Sequence, residues 1–160
     1  MTPISSAATT QLTIAGDRVY LIDTNVISEM RKSSRANPGV QAFFETAREG
    51  GHRLYLSVVT VGELRRGVDL IRHRGDKFQA LRLEGWLDTI IDSFSSHILN
   101  VGTDVAQTWG HLRVPDPAHS LDKLIAATAL IYNLTVVTRN VADFDGTGAQ
   151  VLNPFRALDA

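Results

Sequence analysis

Val19-Tyr-Leu-Ile-Asp-Thr-Asn-Val-Ile-Ser-Glu-Met30 opens with four consecutive apolar β-formers, the pattern of a strand buried on both faces. The run stops abruptly at Asp23. Thr24 and Asn25 are helix-capping types, and Val26, Ile27 and Met30 then follow helical spacing. The stretch therefore predicts a buried strand, a carboxylate where it ends, and a helix starting at once. In an open α/β sheet, ligands bind in the crevice outside the carboxyl ends of the strands. Asp23 is either a plain helix cap or part of a site, and other acids at the same edge would decide between them.

On the C-terminal side the chain alternates strands and helices. Asn37-Pro38 caps a helix whose apolar stripe is Val40, Phe43, Phe44 and Ala47, and Gly50-Gly51 ends it. Arg53–Val59 reads as a strand. Thr60-Val-Gly-Glu63 reads as the opening of a helix with Val61, Leu64, Val68 and Ile71 inward. Gly75-Asp76 breaks that helix, and another follows from Lys77 to Phe94 with Leu81, Leu87, Ile90, Ile91 and Phe94 inward. A short strand at Ile98–Val101, a helix at Asp104–Leu112 and an alanine-rich helix from Leu121 to Ile131 come next. Thr135–Thr138 is a strand, Asn140–Phe144 a single helical turn, and Val151-Leu152 a last strand. This alternation implies βαβ units, hence a mostly parallel sheet covered on both faces. Met1–Asp17 is rich in Ser, Thr and Ala and reads as a mobile tail, with Leu12–Ile14 a candidate for brief edge pairing; the domain proper is 18–160.

The chain has 160 residues, 44% of them apolar, which suits one globular domain with a real core. No apolar run is long enough to span a membrane and the first residues lack a secretion signal, so a cytoplasmic protein is expected. With no cysteine, disulfides, thiolate-ligated zinc and thiol catalysis are excluded. A net charge of −1 argues against a generic polyanion binder. Arginine clusters do occur, at Arg31, Lys32 and Arg35 and again from Arg65 to Arg82. Each reads as a solvated helix face or as a rim for phosphates, which the guanidinium fork suits.

Acids recur at the strand-to-helix junctions: Asp23, Glu63, Asp122 and Asp143. Each has a plain structural reading. Glu63 completes a Thr60-x-x-Glu capping box, Asp143 an Asn140-x-x-Asp box, and Asp122 lies in a first helical turn where the macrodipole favours negative charge. Parallel strands nevertheless bring all four to one edge, where they would repel one another unless a cation intervened. An oxygen-only cluster suits Mg²⁺ or Mn²⁺, which polarise phosphoryl oxygens and lower the pKa of an attacking water. With Thr24 and Thr138 close by, the set reads as metal-dependent phosphodiester hydrolysis. Among the histidines, His119 stands beside Asp122 as a candidate substrate contact, whereas His52, His73, His97 and His111 read as solvated. Asp104 is a possible fifth acid but suits a helix cap better.

Leu21–Glu29, Leu56–Gly67, Asp122–Ala129 and Leu134–Phe144, followed by Val151-Leu-Asn-Pro-Phe155, together resemble PIN-domain ribonucleases of the VapC/FitB-like toxin group. The resemblance runs in order from Tyr20 to Phe155. It implies a three-layer α/β/α domain and a Mg²⁺- or Mn²⁺-dependent endoribonuclease. It also implies a homodimer held inactive by a small cognate antitoxin, with operator DNA bound only through that antitoxin. The family's acids fall on Asp23, Glu63, Asp122 and Asp143, with Asp23, Asp122 and Glu63 holding the metal and Asp143 completing the pocket or a second, weaker metal site. Thr24, Asn25 and Thr138 fall on its supporting positions, and Asn140 on the position that orients the last acid. Arg31, Lys32 and Arg35 are the candidate RNA rim. The lead-in His119-Ser120 and the long segment before Tyr20 depart from the pattern. Two other classes compete. A phosphatase-like or receiver domain would need a second acid beside Asp23 or a late lysine where Arg139 stands; a non-catalytic PIN-like module would not need all four acids.

Overall fold

The computed structural model describes residues 18–157; the expected tail, Met1–Asp17, and the pairing considered for Leu12–Ile14 lie outside the described residues. The strand β1 (Val19–Ile22) sits at the centre of a sheet ordered β3-β2-β1-β4-β5, in which all neighbouring strands run parallel. The others are β2 (Arg53–Ser57), β3 (Ile98–Leu99), β4 (Thr135–Val137) and β5 (Val151–Leu152). In register, Leu21 lies opposite Tyr55 on one side and Val136 on the other. Both faces of β1 are covered. Tyr20 and Ile22 pack with Val26, Val40, Leu56, Leu64, Val68 and Leu87, and Leu21 packs with Ile125, Ala126, Ala129, Val136 and Phe144. The continuous apolar run is thereby explained, since alternation would have left one face polar.

Helices α1 (Thr24–Glu29), α2 (Pro38–Glu49), α3 (Val58–His73) and α4 (Lys77–Ser93) feed the first cluster. On the other face α6 (Ser120–Tyr132) lies on the sheet through small residues, and α5 (Thr103–Leu112) packs on α6, where Trp109 Nε1 donates to the Ser120 carbonyl at 2.9 Å. The result is the expected α/β/α sandwich. The chain moves outward from β1 through β2 to β3, then returns to β4 and β5 on the other side, so the order reverses between β1 and β4. Such a reversal leaves a crevice at the carboxyl ends. Among the described residues no helix is long and apolar enough to cross a membrane.

Two expectations shift. β2 stops at Ser57 rather than Val59, because the Ser57 hydroxyl accepts the Val59 N–H and starts α3 three residues before Thr60. Along α4, Leu81 is 66% exposed instead of buried, and Ala80 takes the inward position. That helix is apolar on more than one side, so its partner α3, and not its own pattern, selects the buried face.

Candidate active site

Asp23 stands at the crevice. Its backbone N–H continues the ladder to the Val137 carbonyl at 2.9 Å, and its extended backbone makes it the N-cap of α1. The side chain caps only its immediate neighbour, accepting from the Thr24 N–H through Oδ1 at 2.8 Å. Oδ2 faces across the reversal instead. It accepts the Thr138 hydroxyl at 2.8 Å and an Asn25 amide hydrogen at 3.3 Å. Asn25 ties the two strand ends together, donating also to Thr138 Oγ1 at 3.2 Å and accepting the Arg139 N–H at 3.0 Å.

Glu63 lies two turns into α3, too far along to form a capping box, and its carboxylate accepts the Thr24 hydroxyl at 3.0 Å. The capping reading of Glu63 is therefore corrected: Ser57 does that work. Asn140 caps its 3-10 turn, Val141–Phe144, with the backbone. Its carbonyl accepts the Asp143 N–H at 3.0 Å, its N–H donates to Thr138 Oγ1 at 3.1 Å, and its side chain does not cap the turn. Asp122 is in the first turn of α6. Asp104 does not cap α5, whose N-cap is Gly102, but lies in its first turn and accepts the Val105 N–H at 2.8 Å.

Electrostatics show how closely the acids gather. Asp122 is pushed from 3.8 up to about 6, chiefly by burial, then by the charges of Asp23 and Asp143, with Glu63 adding to them and His119 opposing. Burial also raises Asp23 despite its three hydrogen bonds, and raises Glu63 despite the one from Thr24. Each of these carboxyls is strained in its ionised form, an arrangement that a cation would relieve. The donor set is carboxylate oxygen together with one imidazole: the ligand atoms of His119, Asp122 and Asp143 lie within 4.8 Å of one another. Carboxylates with one imidazole form a donor set that fits a divalent metal ion.

The PIN domain model matches residues 20–148. The chain belongs to the PIN-domain family. Toxin FitB of Neisseria gonorrhoeae is 36% identical over 144 residues, spanning 86% of this chain and 99% of that one. VapC ribonuclease Y4jK of Sinorhizobium fredii is 30% identical over 144 residues, spanning 86% and 98%. The FitAcB structure from Neisseria gonorrhoeae superposes with a TM-score of 0.71 at 33% identity, covering 84% of this chain and 97% of that one. These VapC/FitB-type relatives share the whole PIN domain with this chain.

The basic residues of this PIN domain are unevenly committed. Arg31, Lys32 and Arg35 are exposed on the 3-10 segment Met30–Arg35 that follows α1, and Lys32 pairs with Glu29 at 2.7 Å. Arg65 and Arg72 belong to a different structure, since both bind Glu84 at 2.7 Å and link α3 to α4. Arg139, which the sequence marks only as standing where a late lysine would be, joins these basic residues. It directly follows Thr138, is exposed, and lies over the Phe155 ring at 4.9 Å. Its position after a late strand was the available signal.

Proposed function

We propose that this PIN domain is a Mg²⁺- or Mn²⁺-dependent endoribonuclease toxin that acts in the cytoplasm and is neutralised by a cognate antitoxin. The observation that carries the reading is the gathering of acids from distant parts of the chain. Asp122 and Asp143 lie together, Glu63 reaches the hydroxyl of Thr24 beside Asp23, and the charges of Asp23, Asp143 and Glu63 add to the burial that raises Asp122. Asp23, Asp122 and Glu63 would hold the ion, with Asp143 at the open side. When bound, the ion would polarise the scissile phosphate and acidify the attacking water. Thr138 and Asn25 fix Asp23, and Thr24 fixes Glu63, so both carboxylates are oriented before substrate arrives. Arg139 and the Arg31, Lys32 and Arg35 group would meet the RNA backbone.

Water as nucleophile leaves a 5′-phosphate and a 3′-hydroxyl. The partner is a small antitoxin whose arginine or lysine reaches the acids, and the active unit is a homodimer. Support for the partner comes from the solved FitAB relative, 30% identical, which is bound to an IR36 DNA fragment; operator binding here would pass through the antitoxin. Incubation of total RNA with the purified protein, followed by mapping of 5′ ends, tests the activity. Cleavage should need added Mg²⁺ or Mn²⁺, leave 5′-phosphates and vanish in Asp23→Asn. Cleavage that persists in EDTA, or in that variant, would overturn the assignment.

A further inference from the structure

Asp122 and Asp143 share a neighbour that lies outside the four-acid pattern. His119 ends the loop before α6, and its Nδ1 lies 3.8 Å from Asp122 Oδ2 and 3.7 Å from Asp143 Oδ1. Both separations are too long for hydrogen bonds. They are close to the spacing of donors around a common centre. Two ligand atoms each about 2.1 Å from one ion stand about 3.0 Å apart at a right angle and about 3.6 Å apart at 120°.

The ring is also not committed elsewhere. His119 is the N-cap of α6 yet makes no side-chain capping bond, and its side chain is 53% exposed, which leaves the ring room to turn toward the two carboxylates. Its backbone is left-handed, at φ 54° and ψ 47°. The loop is held from behind by Lys123, a buried lysine whose Nζ donates to the Asp116 carbonyl. His119, Asp116, Lys123 and Asp143 line one groove of about 340 Å³.

We propose that His119 is a specificity-determining ligand, adding an imidazole nitrogen to Asp122 and Asp143 so that the site prefers late first-row divalent ions such as Co²⁺ over Mg²⁺. Imidazole binds such ions well, whereas Mg²⁺ keeps to oxygen and retains its waters. The inference rests on the reading of the acids as a metal site, and the test separates the two.

The metal-free full chain is titrated with Co²⁺ and with Mg²⁺, following heat release, melting temperature and the visible absorption of Co²⁺. His119→Asn is the main variant, because asparagine tolerates the left-handed backbone, and His119→Ala runs beside it. Either should weaken Co²⁺ by at least the roughly tenfold that even an outer-shell loss costs. Either should leave Mg²⁺ within a factor of about two, and the Co²⁺ absorption should shift. An unchanged ratio of Co²⁺ to Mg²⁺ affinity, or an equal fall in both, would overturn the assignment of His119. Asp122→Asn is the control. Loss of both metals there, with the ratio unmoved in the histidine variants, sinks only the inference. Both titrations unchanged in Asp122→Asn would sink the metal site itself.

Discussion

Asp122 is the residue on which the helix-dipole reading and the metal reading give opposite signs. Its carboxyl rises from 3.8 to about 6 on folding, so the folded chain holds that proton more tightly than the unfolded chain does. The stabilisation is therefore present at low pH and is lost as pH rises from 3.8 through about 6. The raised carboxyls of Asp23 and Glu63 act in the same direction. At pH 8, metal-free Asp122→Asn should melt at or above the wild-type temperature and show a flatter pH profile. Wild type should gain about 2.7 kcal/mol at a hundredfold excess of Mg²⁺ over its dissociation constant, and the variant should lose most of that gain. Melting curves from pH 4 to 8, with and without Mg²⁺, decide it. A variant less stable at pH 8 whose response to Mg²⁺ is intact would make Asp122 a helix-dipole residue.

At the scale of the element, α3 carries a cap and a proposed metal ligand along a single helix. Ser57 caps it through the Val59 N–H, and Glu63, two turns further, reaches Thr24 on α1. Ser57→Ala should cost about 1 kcal/mol of stability and leave the Mg²⁺-induced rise in melting temperature unchanged. Glu63→Gln should do the reverse. It keeps an acceptor for the Thr24 hydroxyl and removes a half-buried charge, so stability holds or increases while the response to Mg²⁺ falls. Denaturant midpoints for the two variants, measured with and without the ion, should form this crossed pattern. Equal losses in both would show that Glu63 supports the helix only.

For the whole molecule, a net charge of −1 means that RNA would be attracted by a local rim and not by a diffuse positive field. Arg31, Lys32 and Arg35 are the proposed rim, although Lys32 shares its charge with Glu29. Each contact to a single-stranded phosphate contributes about −0.7 to the salt slope, so replacing all three by alanine should flatten it by about 2. Binding measured against salt concentration in an Asp23→Asn background, where RNA is not consumed, gives that slope. An unchanged slope would move the rim elsewhere, with Arg139 the next residue to replace.

The sequence by itself determined the central strand, the alternation that makes the sheet parallel, the cap at Asn37 and the helix break at Gly75-Asp76. These are legible because a run buried on both faces and a capping side chain are local patterns. Tertiary structure decided the rest. Ser57 and Thr60 are both capping types, and Ser57 is the one that caps α3 because β2 leaves its pairing with β3 there, at Ser57 opposite Leu99. The buried face of α4 depended on α3, which takes Ala80 and leaves Phe78 and Leu81 in solvent. Thr138 reached Asp23 across 115 positions only because β4 lies beside β1. His119 met Asp122 and Asp143 through a left-handed backbone held by the fold around it, a conformation that local preference disfavours in any residue but glycine and a few polar types.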